Sequence, residues 1–172
     1  MKPRILFIIF VLAIVTLYYG EAFCQEWGKV SQEELSMTSI PEDPDADAVI
    51  LFDRGEYLFG YACPVTLKRH KRIKVLTKRG SEAANISIPL FYGEKIKDLK
   101  GHTITKDGRK IKLKSELVFT KKGKDWDEVV FTMPGVEEGC VFEYVYDKWI
   151  EYTYVLGPWY LMSISLSFPG LP

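Results

Sequence analysis

The sequence contains few of the side chains that carry most enzyme chemistry. It has two histidines and three cysteines among 172 residues. His70 and His102 stand far apart, and neither forms a standard metal-ligand spacing with Cys63 or Cys140. The chain also lacks a nucleophile elbow, a phosphate loop and a dinucleotide-binding fingerprint. We therefore predict that it is not an enzyme and has no catalytic, cofactor-binding or metal-binding residues.

A cysteine nucleophile with a histidine base is the enzymatic alternative. Cys140 follows a glycine at the start of a predicted strand, so it lacks the helix N-terminus that usually activates a thiolate. Cys63 precedes Pro64 in a predicted loop. A Cys63–Cys140 disulfide is possible in an exported protein, but the apolar surroundings of Cys140 favour a free thiol.

A calcium loop is the other site that we considered. Asp43, Asp45 and Asp47 resemble the start of such a loop. Ala48 stands where the pattern requires glycine, and Arg54 stands where it requires glutamate. The sequence therefore argues against calcium binding here.

Long apolar repeats with helical spacing are missing, whereas aromatic residues make up 14% of the chain. This composition predicts an all-β domain. The clearest strands are residues 129–133 and 140–146, joined as a hairpin through Pro134-Gly135 and Gly139. The second strand places Cys140, Phe142 and its two tyrosines on one face, since side chains alternate along a strand. An aromatic face of this kind usually packs against a second sheet, which predicts an antiparallel β-sandwich.

The first 24 residues are typical of a secretory signal peptide. Lys2 and Arg4 form a basic start, residues 5–17 are apolar, and Ala22 and Cys24 are small residues suited to cleavage before Gln25. An uncleaved membrane anchor is the alternative. We predict a cleaved signal peptide at residues 1–24, a β-sandwich domain at residues 25–172, and a periplasmic or secreted location.

The N-terminal half predicts a short helix and a run of strands. Ser31 and Glu34 form a capping box, which predicts a helix through Met37. Residues 48–52 and 57–61 are predicted to form a hairpin around a turn at 53–55. Residues 65–76 form a long strand. One of its faces is apolar, and the other is expected to be exposed to solvent; the residues of that face are His70, Arg72 and Lys74.

Further strands are predicted at residues 84–90, 93–105, 111–113 and 117–120. Asp107-Gly108 is the strongest hairpin signal, because a two-residue turn requires positive φ angles. Glu143 lies between valines and is predicted to pair with a strand lysine. Trp126, Trp149 and Trp159 are predicted to lie in the core or at the sheet interface, with a sugar-stacking platform as the alternative.

Opposite charges balance overall but are separated along the chain. The net charge is +0, with 23 basic and 23 acidic residues, and the basic residues concentrate in residues 68–124. Basic strands beside acidic ones would give a mixed surface, which is the favoured interpretation. A basic face for an anionic partner is the alternative. Nucleic acid is disfavoured because no aromatic residues interleave with the basic run.

Several segments together resemble one known family. In order they are WGKVSQEELSM, DADAVILFDRGE, HKRIKVLTKRG, TITKDGRKIKL and FTMPGVEEGCVFEYVY. They resemble the domain of unknown function found N-terminal to transglutaminase-like domains in exported bacterial proteins. The resemblance implies a β-sandwich that serves as a non-catalytic module beside a Cys-His-Asp transglutaminase-like or cysteine peptidase-like domain.

The sequence departs from that family after Trp159-Tyr160, where the family continues into more strands and a catalytic domain. We therefore expect a C-terminally truncated sandwich whose last strands lack neighbours, and we carry over no catalytic residue. The expected function is a non-catalytic accessory or interaction module. Its partner would be a transglutaminase-like domain or another protein, with no nucleic acid and no membrane contact beyond the signal segment during export. The alternative is a module that binds cell-envelope polysaccharide or polymer.

Overall fold

The computed structural model describes residues 27–59, 65–91, 93–151 and 165–166. The predicted signal peptide, Cys63 and Trp159 lie outside these residues. Two antiparallel sheets form an all-β, sandwich-like fold, so the predicted fold class is confirmed. None of the helices in the described ranges has the length and apolar character needed to span a bilayer.

The described residues contain one short α-helix followed by nine strands. The elements are α1 (Gln32–Ser36), β1 (Ala48–Phe59), β2 (Val65–Val75), β3 (Asn85–Leu90), β4 (Lys95–Ile104), β5 (Lys110–Lys112), β6 (Phe119–Lys121), β7 (Asp127–Thr132), β8 (Val141–Ile150) and β9 (Ser165–Leu166). Short 3-10 helices occur at Arg79–Ala84 and Ser115–Leu117. A six-stranded sheet has the order β5-β4-β8-β2-β1-β9, and a three-stranded sheet has the order β3-β7-β6.

The hydrophobic core lies between the two sheets. Ile73 and Phe142 of the larger sheet face Ile88 and Phe131 of the smaller one, and all four are buried. Phe131 also meets Tyr144 edge to face, with ring centroids 5.7 Å apart. The predicted packing of the aromatic face of β8 against a second sheet is therefore confirmed. Each buried aliphatic or phenyl side chain contributes about 1.5–3 kcal/mol of transfer free energy.

The predicted hairpin between the strands now called β7 and β8 is wrong, although both strands exist. They lie in different sheets. The N–H of Met133 donates to Ala84 in line with the smaller sheet, whereas the Cys140 carbonyl accepts from Val75 of the larger one. Gly135 and Gly139 take positive φ angles where the chain crosses between the layers. The crossing lets each strand bury its apolar face against the other, which pairing side by side would prevent.

The predicted hairpin at residues 53–55 is also wrong. β1 runs without a turn and pairs with β2 along its whole length, with a bulge between Ile50 and Phe52. Gly55 pairs with Arg69, and Asp53 receives two hydrogen bonds from the Arg69 guanidinium, at 2.8 and 2.5 Å. These cross-strand contacts keep the Asp-Arg-Gly sequence extended, although its composition is typical of a turn.

Two local predictions are confirmed. Ser31 and Glu34 make both bonds of the capping box at the start of α1. Asp107-Gly108 lies in the turn that joins β4 to β5, and Gly108 has a φ of 82°. The turn is longer than the predicted two residues, because the Thr105 N–H donates to the Arg109 carbonyl and Asp107 has no positive φ. The residues before β1 fold back over the large sheet on the side away from the small sheet, which we call the outer face. Ala46 and Met37 help to bury Val49 there.

Candidate functional site

A row of polar residues crosses the outer face of the large sheet. Arg72 of β2 pairs in register with Glu143 of β8, and Glu143 pairs with His102 of β4. All three are buried, with exposures of 1%, 1% and 2%. Lys74 on the same strand face as Arg72 is also fully buried. The prediction that this face of β2 is exposed to solvent is therefore wrong.

Glu143 is the centre of the row. Its Oε2 accepts hydrogen bonds from Nε2 of His70 at 2.7 Å and from the Arg72 guanidinium at 2.9 and 3.1 Å. Its Oε1 accepts the Gly28 N–H at 2.6 Å. Nε2 of His102 lies 2.8 Å from Oε1 but without the alignment of a hydrogen bond. The predicted lysine partner of Glu143 is therefore wrong, as is the solvated position expected for His70.

These contacts determine the ionisation of the carboxyl. Burial alone raises the pKa of Glu143, but the contacts from His102 and His70 and the charge of Arg72 outweigh burial. The pKa is consequently held well below the usual value for glutamate. Glu143 is therefore a carboxylate at neutral pH, and it can only accept hydrogen bonds in this state.

The N-terminal segment, residues 27–46, covers the row. The Trp27 ring meets His102 edge to face at 4.5 Å between centroids and His70 at 5.3 Å. Gly28 has a φ of 80°, and its backbone approaches Lys110 and His102 so closely that an added Cβ would lie 2.5 Å from the Lys110 amine. This conformation is what lets the Gly28 N–H reach the buried carboxylate.

Helix α1 supplies two further attachments. The Arg72 guanidinium donates to both oxygens of Glu34, at 3.0 and 3.1 Å. The Lys74 ammonium donates to the carbonyls of Leu35 and Gly139, each at 2.7 Å. Burial lowers the pKa of Lys74. Together with the Gly28 bond, these contacts join the N-terminal segment to β2 and β8. We call Gly28, Glu34, Arg72, Lys74 and Glu143 the clamp.

The contacts of the clamp and of His70 fill most of the acceptor positions of the Glu143 carboxylate. A carboxylate offers about four lone-pair positions. Glu143 already faces one backbone N–H, two imidazoles and two guanidinium nitrogens. In the ranges that the structure describes, no three His, Cys, Asp or Glu side chains are arranged to hold a metal ion. The geometry therefore supports attachment of the N-terminal segment to the sheet.

The candidate thiol and the imidazoles are on opposite sides of the large sheet. Cys140 is a free, fully buried cysteine in the core between the sheets. Burial raises the pKa of its thiol. His70 and His102 point to the outer face, so the structure does not bring a base to this sulfur. Cys63, the second candidate nucleophile, lies outside the described residues.

Two of the three aspartates before β1 make contacts within the fold. Asp47 is fully buried, and its carboxylate accepts from the Thr77 hydroxyl at 2.5 Å and from Arg79 at 3.2 Å. Ile40 and Asp43 form an isolated antiparallel bridge. The Asp47 carboxylate, one of the three considered for calcium, is thus committed to protein donors.

Two tryptophans lie outside the core, contrary to prediction. Trp126 is 46% exposed in the loop before β7. Trp149 is partly buried on the outer face, with the amines of Lys95 and Lys97 at 5.5 and 5.6 Å from its ring centroid. Trp159, the third of the set, is not among the described residues.

The burial of the polar row was not predicted from the sequence, because its residues alternate with apolar ones, as they do on a strand with one exposed face. The one local signal was Glu143. It stands between Val141 and Val145 on the outer face, and an acid within an apolar strand face usually has a specific buried partner. The partners lie on β2, β4 and the N-terminal segment, which local patterns do not connect.

The fold and this site define an all-β sandwich domain whose outer face is closed by its own N-terminal segment. A family described as a domain of unknown function with a solved structure, DUF3857, matches residues 64–162. The chain belongs to this family.

Among solved structures, the fold is similar to part of a "putative protease" from Parabacteroides distasonis. The TM-score is 0.56 at 13% sequence identity, and the match covers 63% of this chain and 24% of that chain. The matched part of this chain thus corresponds to about a quarter of that protein. No curated protein matches the sequence.

Proposed function

We propose that this chain is a non-catalytic accessory domain that packs beside a catalytic domain of the protease or transglutaminase-like kind. One observation carries the proposal. The same fold makes up only 24% of a longer chain described as a putative protease. A domain that forms a minor part of a longer chain has neighbouring domains to contact. Membership of the DUF3857 family is consistent with a module of this kind.

The placement of the reactive side chains supports a scaffold role. Cys140 is sealed in the core, and the two histidines are committed to Glu143 on the other side of the sheet. Attack by a cysteine requires a thiolate with a base within hydrogen-bonding reach. Neither requirement is met at Cys140.

The surface proposed for the catalytic neighbour is the face of the small sheet turned away from the core. Leu117 and Phe119 are 42% and 60% exposed there. They border a cavity of about 480 Å³ together with Val130 and Thr132. The buried centres of protein interfaces favour aromatic and aliphatic side chains without charge. We call this region the small-sheet groove.

Complex formation tests the accessory role. The purified chain is mixed with the transglutaminase-like protein of the same organism and followed by size exclusion and calorimetry. We expect a 1:1 complex that Phe119→Asp disrupts, because a charge would be buried at the interface. Trp126→Asp is the matched control, since it places the same charge on an exposed aromatic in the loop before β7, outside the small-sheet groove, and should leave binding intact. No complex, or equal loss in both variants, contradicts the proposal.

The absence of intrinsic activity is tested separately. Peptidase and transglutaminase assays of the chain alone should give background rates. A measurable rate that disappears in Cys140→Ala, with the melting temperature retained, would make this protein an enzyme and overturn the proposal.

Export to the periplasm or beyond belongs to the same proposal. It is supported by the basic start, the apolar run of residues 5–17 and the small residues Ala22 and Cys24. N-terminal sequencing of protein produced in the native host should give Gln25 as the first residue. A mature protein that starts at Met1 would refute cleavage.

A further inference from the structure

The outer face of β4 and β5 carries a row of exposed lysines that the clamp does not use. Lys95, Lys97 and Lys100 of β4 lie beside β8, and Lys110 and Lys112 of β5 continue the row next to the N-terminal segment. We call these five residues the lysine face. None of them makes an ion pair within the part of the chain that the structure describes, whereas Lys121, Lys122 and Lys148 each pair with an acid.

A bulge in β4 produces this alignment. Lys97 pairs with Asp147 and Lys100 with Val145, so β4 has one residue more than β8 between these two pairs. Residues three positions apart in a regular strand point to opposite faces, because strand side chains alternate. The bulge adds one residue to β4 and so returns Lys100 to the face that carries Lys97. Asp98 within the bulge takes a φ of 50°. The left-handed backbone at Asp98 is thus part of the bulge that places Lys97 and Lys100 on one surface.

The lysine face is long and carries little opposing charge. The ten residues of β4 span about 33 Å at the usual rise of a strand. Asp147 is the acid on β8 next to Lys97, and it is only partly buried. A continuous positive surface of this length fits an extended chain with repeated negative charges better than a single small anion.

Two tryptophans accompany the lysines. Trp149 pairs with Lys95 in register, and the amines of Lys95 and Lys97 lie 5.5 and 5.6 Å from its ring centroid. Trp27, 39% exposed, covers His102 at the other end of the row. His102 pairs with Glu143, six residues before Trp149, so the two rings are about 20 Å apart along the strand.

We infer that the lysine face binds an acidic polysaccharide, with sugar rings on Trp149 and Trp27 and the acid groups on the lysines. Sugar rings present C–H faces that pack on aromatic side chains, and carboxylates pair with ammonium groups. Single-stranded nucleic acid fits less well, because its successive bases require closely spaced aromatic rings. An acidic peptide would leave the two tryptophans without a role. The inference is independent of the proposed packing against a catalytic domain, which uses the small-sheet groove.

The test uses the full chain and polygalacturonate oligomers as the probe, measured by calorimetry at low salt. The variant Lys95→Gln/Lys97→Gln/Lys112→Gln should weaken binding by about tenfold or more, and its affinity should depend less on salt. The matched control is Lys78→Gln/Lys122→Gln/Lys124→Gln, which removes the same charge from exposed positions elsewhere and should stay within about twofold of the parent. Equal loss in both variants would mean that only net charge matters and would overturn the inference.

Two further measurements identify the kind of partner. Trp149→Ala should weaken binding without changing its salt dependence, because it removes stacking and no charge. Polyglutamate and an oligothymidylate are the competing probes, and each should bind at least about tenfold more weakly than polygalacturonate. No binding of polygalacturonate, no effect of Trp149→Ala in a variant that remains folded, or equal binding of either competitor would overturn the inference.

Discussion

At the scale of single residues, Glu143 is the point where the buried polar contacts of the outer face meet. Its carboxylate is buried among Arg72, two histidines and a backbone N–H, and its pKa is lowered. Burying a charged network of this kind costs desolvation free energy, so the intact network adds little net stability. Removing one member is strongly destabilising, because it leaves an uncompensated buried charge. Loss of the carboxylate would leave Arg72 with only its other partners on a buried face.

Glu143→Gln should therefore destabilise the fold by about 3–5 kcal/mol at neutral pH, because it leaves buried positive charge incompletely paired. Urea unfolding measures this change. Glu138→Gln, at an exposed position in the loop before β8, is the control and should change the unfolding free energy by less than about 0.5 kcal/mol. Similar effects of the two substitutions would contradict the role assigned to Glu143.

The lowered pKa of Glu143 also predicts that the unfolding free energy depends on pH in the acid range. The pKa of Glu143 is lower in the fold than the value of about 4.3 expected for the unfolded chain. Its contribution to stability is thus complete above that value and is lost as the pH falls toward the folded-state pKa. The unfolding free energy should fall between about pH 5 and pH 2, and the slope should be shallower in Glu143→Gln. Parallel slopes in the two proteins would rule out this explanation.

Gly28 gives a second prediction at the residue scale. It has a φ of 80°, and Gly108 has a φ of 82° in an exposed turn with open space around it. Alanine should cost about 1 kcal/mol of backbone strain at either position. Only Gly28→Ala should also loosen the N-terminal segment, because the strain can relax by releasing the bond to Glu143. Hydrogen exchange of residues 27–36 should become faster in Gly28→Ala and remain unchanged in Gly108→Ala.

At the scale of elements, helix α1 is too short to be stable alone. It has five residues and no buried side chain, and isolated helices of that length do not form in water. Its order comes from the capping box and from the contacts of Glu34 and Leu35 with Arg72 and Lys74. The helix is therefore a consequence of docking on the sheet.

Substitutions at Glu34 and Glu33, which lie in the same helical turn, measure how much docking on the sheet stabilises α1. Glu34 closes the capping box and accepts from buried Arg72, whereas Glu33 is exposed. Glu34→Gln should lower the unfolding free energy by about 2 kcal/mol, in the range for hydrogen bonds to charged groups. Glu33→Gln should have almost no effect. Equal costs for both would show that general charge at the helix start, and not the clamp, explains the order of α1.

At the scale of the whole molecule, the two sheets are held together by the aromatic face of β8. Phe142 is fully buried between them, whereas Phe119 is 60% exposed on the small-sheet groove. Phe142→Ala should destabilise the fold by about 3–5 kcal/mol, since it removes buried surface and leaves a cavity. Phe119→Ala should change the unfolding free energy by less than about 0.5 kcal/mol. Thermal or urea unfolding distinguishes the two.

The sequence by itself determined the elements whose signals are local. Most strands, the capping box at Ser31 and the turn at Asp107-Gly108 follow from side-chain alternation and turn chemistry within a few residues. The same alternation predicted that the aromatic face of β8 would meet a second sheet. For this reason the fold class could be predicted from the sequence without knowledge of the strand order.

Only the tertiary structure decided which strands are neighbours and which faces are covered. β7 and β8 lie in different sheets, and Asp53 to Gly55 stay extended because β2 pairs with them. Arg72 and Lys74 are buried by a segment far away in the chain, and the bond between Gly28 and Glu143 joins residues 115 positions apart. Burial and charge pairing depend on such distant contacts, and a pattern within one strand carries no information about them.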